Sequence, residues 1–201
     1  AEFTGDELTH EAAAEYAFDR LMRKQYVSLG SWGGYIVVGF DHSIVNSDSD
    51  YDFSIQANAF NSGAGGSNEP GIVWVMQDVN GNGLPDDEWY ELKGSETGKP
   101  ETKQYYEVTY YKPSGPGQKV VWTDSDGKTD WVDFLGAYHW QDYYYPLWIK
   151  KDSYTLVGTH IAARNSQDPS TGFCINANYE RGYADSWGSE LIAGNSSDGS
   201  R

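Results

Sequence analysis

Two stretches of this chain carry side chains whose type and spacing can do chemistry. In residues 78–88, oxygen-bearing groups recur at alternate positions: Asp78, Asn80 and Asn82, followed by Asp86, with Gly83 sixth in the run. A hard dication takes roughly six to eight oxygen ligands at about 2.3–2.6 Å, and relative positions one, three, five and nine can wrap one when a glycine at six allows a sharp turn. The pattern therefore points to a calcium loop, with the Leu84 carbonyl as the backbone ligand. Position twelve is Trp89 rather than a bidentate acid, so the loop is not an EF-hand. Strand-like sequence at 72–76 and 89–92 flanks it, so it joins two strands rather than two helices. The same residues also suit an Asn/Gly/Pro-rich hairpin with solvated acids. Calcium is the favoured expectation, in a structural role.

The second stretch is aromatic. Tyr138, His139, Trp140, Gln141, Asp142 and Tyr143 are followed by Tyr144, Tyr145 and, after Pro146 and Leu147, Trp148. Neighbours along an extended chain point to opposite sides, so these rings cannot all face one core. Exposed aromatic faces beside His139, Gln141 and Asp142 can stack on the C–H face of a sugar or on a flat cofactor, with the polar groups fixing orientation. Trp32 and Trp187, each beside a glycine, are secondary candidates. The competing expectation is that the run only covers the bottom of a β-sandwich.

Catalytic patterns are sparse. His10, His42, His139 and His160 show no HxxxH or His/Cys spacing, and no GxSxG elbow occurs. Glu69, Glu88, Asp133 and Asp142 are the carboxylates a glycosidase pair would draw on, yet none lies in a motif with a mechanism, so the expectation is a protein that is not an enzyme. A second acidic cluster, Asp124-Ser125-Asp126-Gly127-Lys128-Thr129-Asp130, has weaker spacing and an intruding lysine and reads as a hairpin turn. Asp48, Asp50 and Asp52 read as charges that protect a strand edge.

The chain has 201 residues, within the range of a single domain, and 30 acidic against 14 basic residues give a net charge of -16. That balance argues against nucleic acid and against anionic membrane as partners. Eight Trp and sixteen Tyr exceed what a core of this size needs, so some should lie at the surface. The single Cys174, in an apolar stretch, is expected to be a buried free thiol. No stretch reaches transmembrane length. Ala1 is not an initiator Met, and with the calcium and aromatic signals this suggests a chain trimmed of a leader and working outside the cell.

These groups must be positioned by β-structure. Only the start of the chain has a helical pattern: Thr4 and Glu7 have capping-box spacing, and Arg20, Arg23 and Lys24 follow late. Leu8, Phe18, Leu21 and Met22 suggest one apolar stripe on a helix of about 18 residues. Runs at 35–40, 51–57, 72–77, 89–92, 104–111, 119–123, 154–162 and 173–179 read as strands, with loops at 61–70 and 113–118. Residues 30–34, rich in glycine, read as a bend into the first strand. The expected fold is mainly β: an antiparallel, jelly-roll-like β-sandwich with one N-terminal α-helix. The expected organisation is a helical segment at 1–26 and one sandwich at 27–201.

Several motifs together resemble a known family. Gly30-Ser31-Trp32-Gly33-Gly34-Tyr35-Ile36-Val37-Val38-Gly39-Phe40-Asp41-His42, Tyr51-Asp52-Phe53 with Asn58-Ala59-Phe60, Glu69-Pro70-Gly71, Asn80-Gly81-Asn82-Gly83-Leu84-Pro85-Asp86-Asp87 and Trp89-Tyr90-Glu91-Leu92 are similar to the PKD-like cell surface proteins of gut Bacteroidetes. Tyr144-Tyr145-Pro146-Leu147-Trp148 and Gly182-Tyr183-Ala184-Asp185 add to the resemblance, which spans residues 27–187. It implies an exported, lipid-anchored protein of the outer-membrane surface that captures nutrients beside an outer-membrane transporter complex, with a glycan or a corrinoid as ligand. It carries no catalytic residues to transfer. Relatives continue past the Gly-Tyr-Ala-Asp motif into a further strand, whereas residues 186–200 are mostly polar here. The expectation is a truncated form lacking a C-terminal strand or receiving one from another chain. The alternative function is a structural or adhesion domain that assembles a larger surface complex.

Overall fold

The computed structural model describes residues 3–48, 51–62 and 65–188. Among them are one helix and ten short strands in antiparallel sheets, which makes the protein mainly β with a single helix. The chain groups into two compact units interleaved in sequence, one drawn from Ala1–Ile36 and Gln104–His160, the other from Val37–Lys103 and Ile161–Arg201. The helix shares a unit with the largest sheet.

In the first unit, α1 (His10–Met22) starts at Thr9, whose hydroxyl accepts from the Ala12 backbone N–H. Of the predicted capping box at Thr4, the bond from Thr4 N–H to the Glu7 carboxylate forms, but it starts no helix. The Glu7 carboxylate accepts from Thr4 N, Thr4 Oγ1 and Gly5 N in a local turn, with Gly5 at φ 95°, and the helix begins three residues after Glu7. The buried residues of α1 are Ala13 and Ala17, whereas Leu8, Phe18, Leu21 and Met22 are exposed. The expected apolar stripe is therefore not the packed face: small side chains let this helix approach its neighbours.

The sheet of this unit has the order β7-β6-β5-β8, built from β5 (Lys103–Tyr111), β6 (Val120–Asp124), β7 (Thr129–Val132) and β8 (Ser153–His160). Alternation along β5 buries Tyr106, Val108 and Tyr110, which join Val120 and Tyr145 in one core cluster. Burying an aliphatic side chain such as Val108 contributes roughly 2 kcal/mol. The turn after β6 is the one expected at the second acidic cluster. Asp124 Oδ1 accepts from Asp126 N and Lys128 N at 3.0 and 2.8 Å, and Gly127 takes φ 84°.

The second unit is made of three hairpins. β1 (Phe60–Ser62) pairs with β2 (Gly65–Ser67), β3 (Trp74–Met76) with β4 (Trp89–Glu91), and β9 (Asn165–Gln167) with β10 (Cys174–Asn176). Gly71 and Ala184 form an isolated antiparallel bridge. Tyr179 and Tyr183 are buried, edge to face at 5.5 Å, and Glu96, only 2% exposed, is held by Arg164 and Lys99 at 2.8 and 2.9 Å.

Several expectations change here. Residues 35–40 and 51–57 are not strands, because their backbones have no partner strand among the described residues. The loop expected at 61–70 contains most of the β1–β2 hairpin. Cys174 is exposed rather than buried, since a two-stranded ribbon covers only part of its surface. Asp50 and residues 189–201, on which the edge-charge and missing-strand expectations rest, lie outside the described residues.

Candidate functional site

The aromatic run is shaped from beneath by Tyr144 and Tyr145. Tyr145 is 1% exposed, meets Tyr154 edge-on at 5.1 Å and donates its hydroxyl to the Lys151 carbonyl at 2.8 Å. Burial, with the nearby Asp152 charge, pushes the Tyr145 hydroxyl pKa up, so it stays a donor at neutral pH. Tyr144 packs on Phe134 at 4.9 Å. Its hydroxyl accepts from Leu135 N at 3.1 Å, which ties the start of the preceding turn to the core. That turn is closed by Tyr138 N and His139 N, both donating to the Leu135 carbonyl.

Above this base, exposure alternates. Tyr138 is 82% exposed and Trp140 is 78% exposed, while His139 between them is half-buried and meets Tyr144 edge-on at 6.0 Å. Tyr138, at the end of that turn, and Trp140, just after it, thus both leave their rings in solvent. Gln141 is anchored, donating Nε2–H to the Phe3 carbonyl at 2.7 Å. Trp148 packs on Phe3 at 4.8 Å, and Phe3 also meets Tyr16 of α1. Asp142 is exposed and its carbonyl accepts from Gly117 N, and Tyr143 is half-buried. The segment thus offers two rings and one carboxylate outward, while Gln141 and Trp148 fasten it.

The secondary candidates lie elsewhere. Trp32 packs against the core, edge-on to Tyr106 at 5.1 Å, and its carbonyl accepts from Tyr110 O–H, so it is a packing residue and not a surface ring. Trp187 belongs to the other unit, where its backbone N–H donates to Asn68 Oδ1 at 2.6 Å. Asn68, which sequence reasoning passed over inside an expected loop, is 3% exposed and also donates to Asn61 Oδ1 and the Asn176 carbonyl.

The loop at 78–88 lies between β3 and β4, as expected. Asp78 receives three backbone N–H groups, from Gly81, Asn82 and Gly83, at 2.7–3.2 Å. Asn80 and Asn82 both point their Nδ2 groups at the Asp86 carboxylate, at 3.0–3.2 Å. Gly81 and Gly83 take φ 71° and 73°, a region costly for side chains. Asp78, Asn80, Asn82 and Asp86 are therefore gathered within one turn, and Leu84, bonded through its N–H to Asn82 Oδ1, closes it. Among the described residues no three His, Cys, Asp or Glu side chains gather to hold a metal ion, so the two carboxylates here are supplemented by amides. The Asn80 and Asn82 amide oxygens accept from Asn82 N and Leu84 N while their nitrogens face Asp86, so as arranged the Asp78 and Asp86 carboxylates are the oxygens this turn offers a hard cation, and the amides would have to turn to join them.

An open groove of about 410 Å³ in the second unit is lined by Phe40, His42, Ile44, Val45, Asp52 and Phe53 among others. His42 Nδ1 lies 2.6 Å from Asp41 Oδ1, and Asp52 accepts from Ser47 N. No family model matches the chain, and no curated protein matches it. No helix among the described residues is long and apolar enough to cross a membrane.

Proposed function

We propose that this protein is a non-catalytic, cell-surface glycan-binding module, of the kind its resemblance to the PKD-like surface proteins implies, with a structural calcium loop. The observation that carries this reading is the pair Tyr138 and Trp140, about four-fifths exposed in a segment that Tyr144, Tyr145 and Gln141 hold in place. Large aromatic faces left in water and held from below suit the C–H faces of pyranose rings, and Asp142 nearby suits their hydroxyls. A corrinoid ranks second, because a ligand of that size calls for a pocket beyond the about 410 Å³ of the Phe40–Phe53 groove. Calcium at Asp78, Asn80, Asn82, Leu84 and Asp86 would fix the β3–β4 connection and offset part of the -16 charge.

Isothermal titration against a glycan panel and cyanocobalamin tests the reading. Heat with at least one glycan, abolished in Tyr138→Ala/Trp140→Ala, is the expected result; no heat with any glycan refutes it. One observation favours assembly of a larger complex as a second reading. Val37, Val38, Phe40 and Val45 are all close to half exposed or more in a backbone without strand partners among the described residues, a template for an added strand. Sedimentation showing a complex that dissolves on Val38→Lys/Phe40→Lys would shift the reading to assembly.

A further inference from the structure

The four-stranded sheet also has a solvent-facing side. With Tyr106, Val108 and Tyr110 turned inward, Thr109 and Tyr111 of β5 face out, as do Val121 and Thr123 of β6 and Thr129 and Trp131 of β7. The register sets Thr109 opposite Thr123, Thr123 opposite Thr129, and Val121 opposite Trp131. One step further along the same register sets Tyr111 beside Val121. Two rows result. Trp131, Val121 and Tyr111 form one, and Thr129, Thr123 and Thr109 form the other, extended to β8 by the 2.7 Å bond between the Thr109 and Thr155 hydroxyls.

The rings are exposed and held in place. Trp131 is 48% exposed and Tyr111 is 41% exposed. The Trp131 indole N–H donates to Asp133 Oδ1 at 2.8 Å, and the Tyr111 and Thr123 hydroxyls bond at 3.0 Å. Two strand steps separate the ring-bearing positions by about 9.6 Å. On a chain of net charge -16, the tyrosine phenol is the one titratable group within the rows, and the two charged groups that touch Trp131, Lys119 and Asp133, are one cation and one anion that offset each other. A cationic partner would be drawn to the acidic surface elsewhere and an anionic one repelled by the whole-molecule field, so charge selects a neutral occupant here.

We propose that this face is a second binding surface, for an extended neutral polysaccharide laid across the strands. Sugar C–H faces rest on Trp131 and Tyr111, while sugar hydroxyls meet the threonine row, whose hydroxyls each both donate and accept. The Lys119 ammonium, 3.6 Å over the Trp131 ring, covers one face of that ring, and the sugar displaces it. The ligand class rests on the glycan reading above, but the residues are separate.

Affinity electrophoresis in gels of neutral polysaccharide, using the full chain, tests this. Tyr111→Ala/Trp131→Ala should weaken retention by about tenfold, as expected for losing two stacking faces, with short-oligosaccharide titration at Tyr138 and Trp140 unchanged. Tyr111→Phe/Trp131→Phe, which keeps both rings, should restore retention. Lys119→Ala should bind equally well or more tightly. Retention unchanged in the alanine pair but lost in Tyr138→Ala/Trp140→Ala overturns the sheet surface and leaves the loop reading standing; the reverse pattern overturns the loop reading alone. Absence of wild-type retention on every neutral polysaccharide, a tenfold loss in Lys119→Ala, or a dimer dissolved by the alanine pair with retention intact each overturns the sheet surface.

Discussion

Replacing Glu96 by Gln removes one charge from a buried cluster while keeping its shape. The Glu96 carboxylate accepts from Lys99 Nζ at 2.9 Å, Arg164 Nη2 at 2.8 Å and Ser95 Oγ at 2.9 Å. Two of these are charge-assisted bonds, worth about 1.5–3 kcal/mol each. The side chains of Lys99 and Arg164 are 41% and 35% exposed, so water recovers part of the loss, and the amide keeps the Ser95 bond. The net cost is about 2–3 kcal/mol, which for a chain of this size lowers the melting temperature by about 5–10 °C. Burial acts to raise the Glu96 pKa, but the Lys99 and Ser95 hydrogen bonds and the Arg164 and Lys99 charges outweigh it and hold it below the ordinary 4.5. A depressed folded-state pKa stabilises above the unfolded value, and this contribution is lost as pH falls through the folded one. The gap between wild type and Glu96→Gln should thus be full at pH 7 and shrink as the pH falls below 4.5. Thermal melts of both proteins across that range, with exposed Glu101→Gln as control, measure it. A gap under about 0.5 kcal/mol at pH 7, or one that widens on acidification, would refute the network as a source of stability.

Removing calcium with excess EDTA should lower the melting temperature. Saturating the site at a hundred times its Kd contributes about 2.7 kcal/mol, and Asp78→Ala/Asp86→Ala should erase the difference; identical curves with and without chelator count against the site. Thr9→Ala should cost about 1 kcal/mol and reduce helical ellipticity, since the Ala12 N–H loses its cap. Gly94→Ala should destabilise by more than about 3 kcal/mol, because the added Cβ would fall 2.3 Å from Tyr183 Cζ in a buried contact. Gly98→Ala, at φ 80° with nothing within 4 Å, should cost only about 1–2 kcal/mol; denaturant midpoints of the two variants test the difference.

Strands were legible in the sequence where periodicity and partners agree. Residues 104–111 alternate, and β6 and β8 flank them, so the expected strand and Lys103–Tyr111 nearly coincide. Residues 35–40 carry an equally strong β signal without becoming a strand, because β propensity describes a fit to a pleated surface and a ladder needs a neighbour. The β1–β2 hairpin was hidden for the opposite reason. Its Gly, Ser and Asn residues read as loop, and the Asn68 side chain, reaching Asn61 and the Asn176 carbonyl, helps hold that region in place. The helix start was displaced because Thr4 and Glu7 satisfy one another without committing the next residues to helical geometry.

The same logic separates the site residues. That some rings of the 138–148 run must face water was legible from their number in succession, and Tyr138 and Trp140 do so although the segment turns rather than running as a strand. That Trp148 and Trp32 are packing residues depends on Phe3, 145 positions from the first, and on Tyr106 and Tyr110, 74 and 78 positions from the second. Nothing local in the sequence announces such partners. The glycan reading therefore rests on what a short segment exposes, while its rigidity is supplied by tertiary contacts. If that rigidity matters, Tyr144→Phe, which removes the hydroxyl that receives Leu135 N, should weaken glycan affinity without touching any ring that faces solvent. Binding unchanged in Tyr144→Phe, measured by the same titration, would show that the two rings bind without being held.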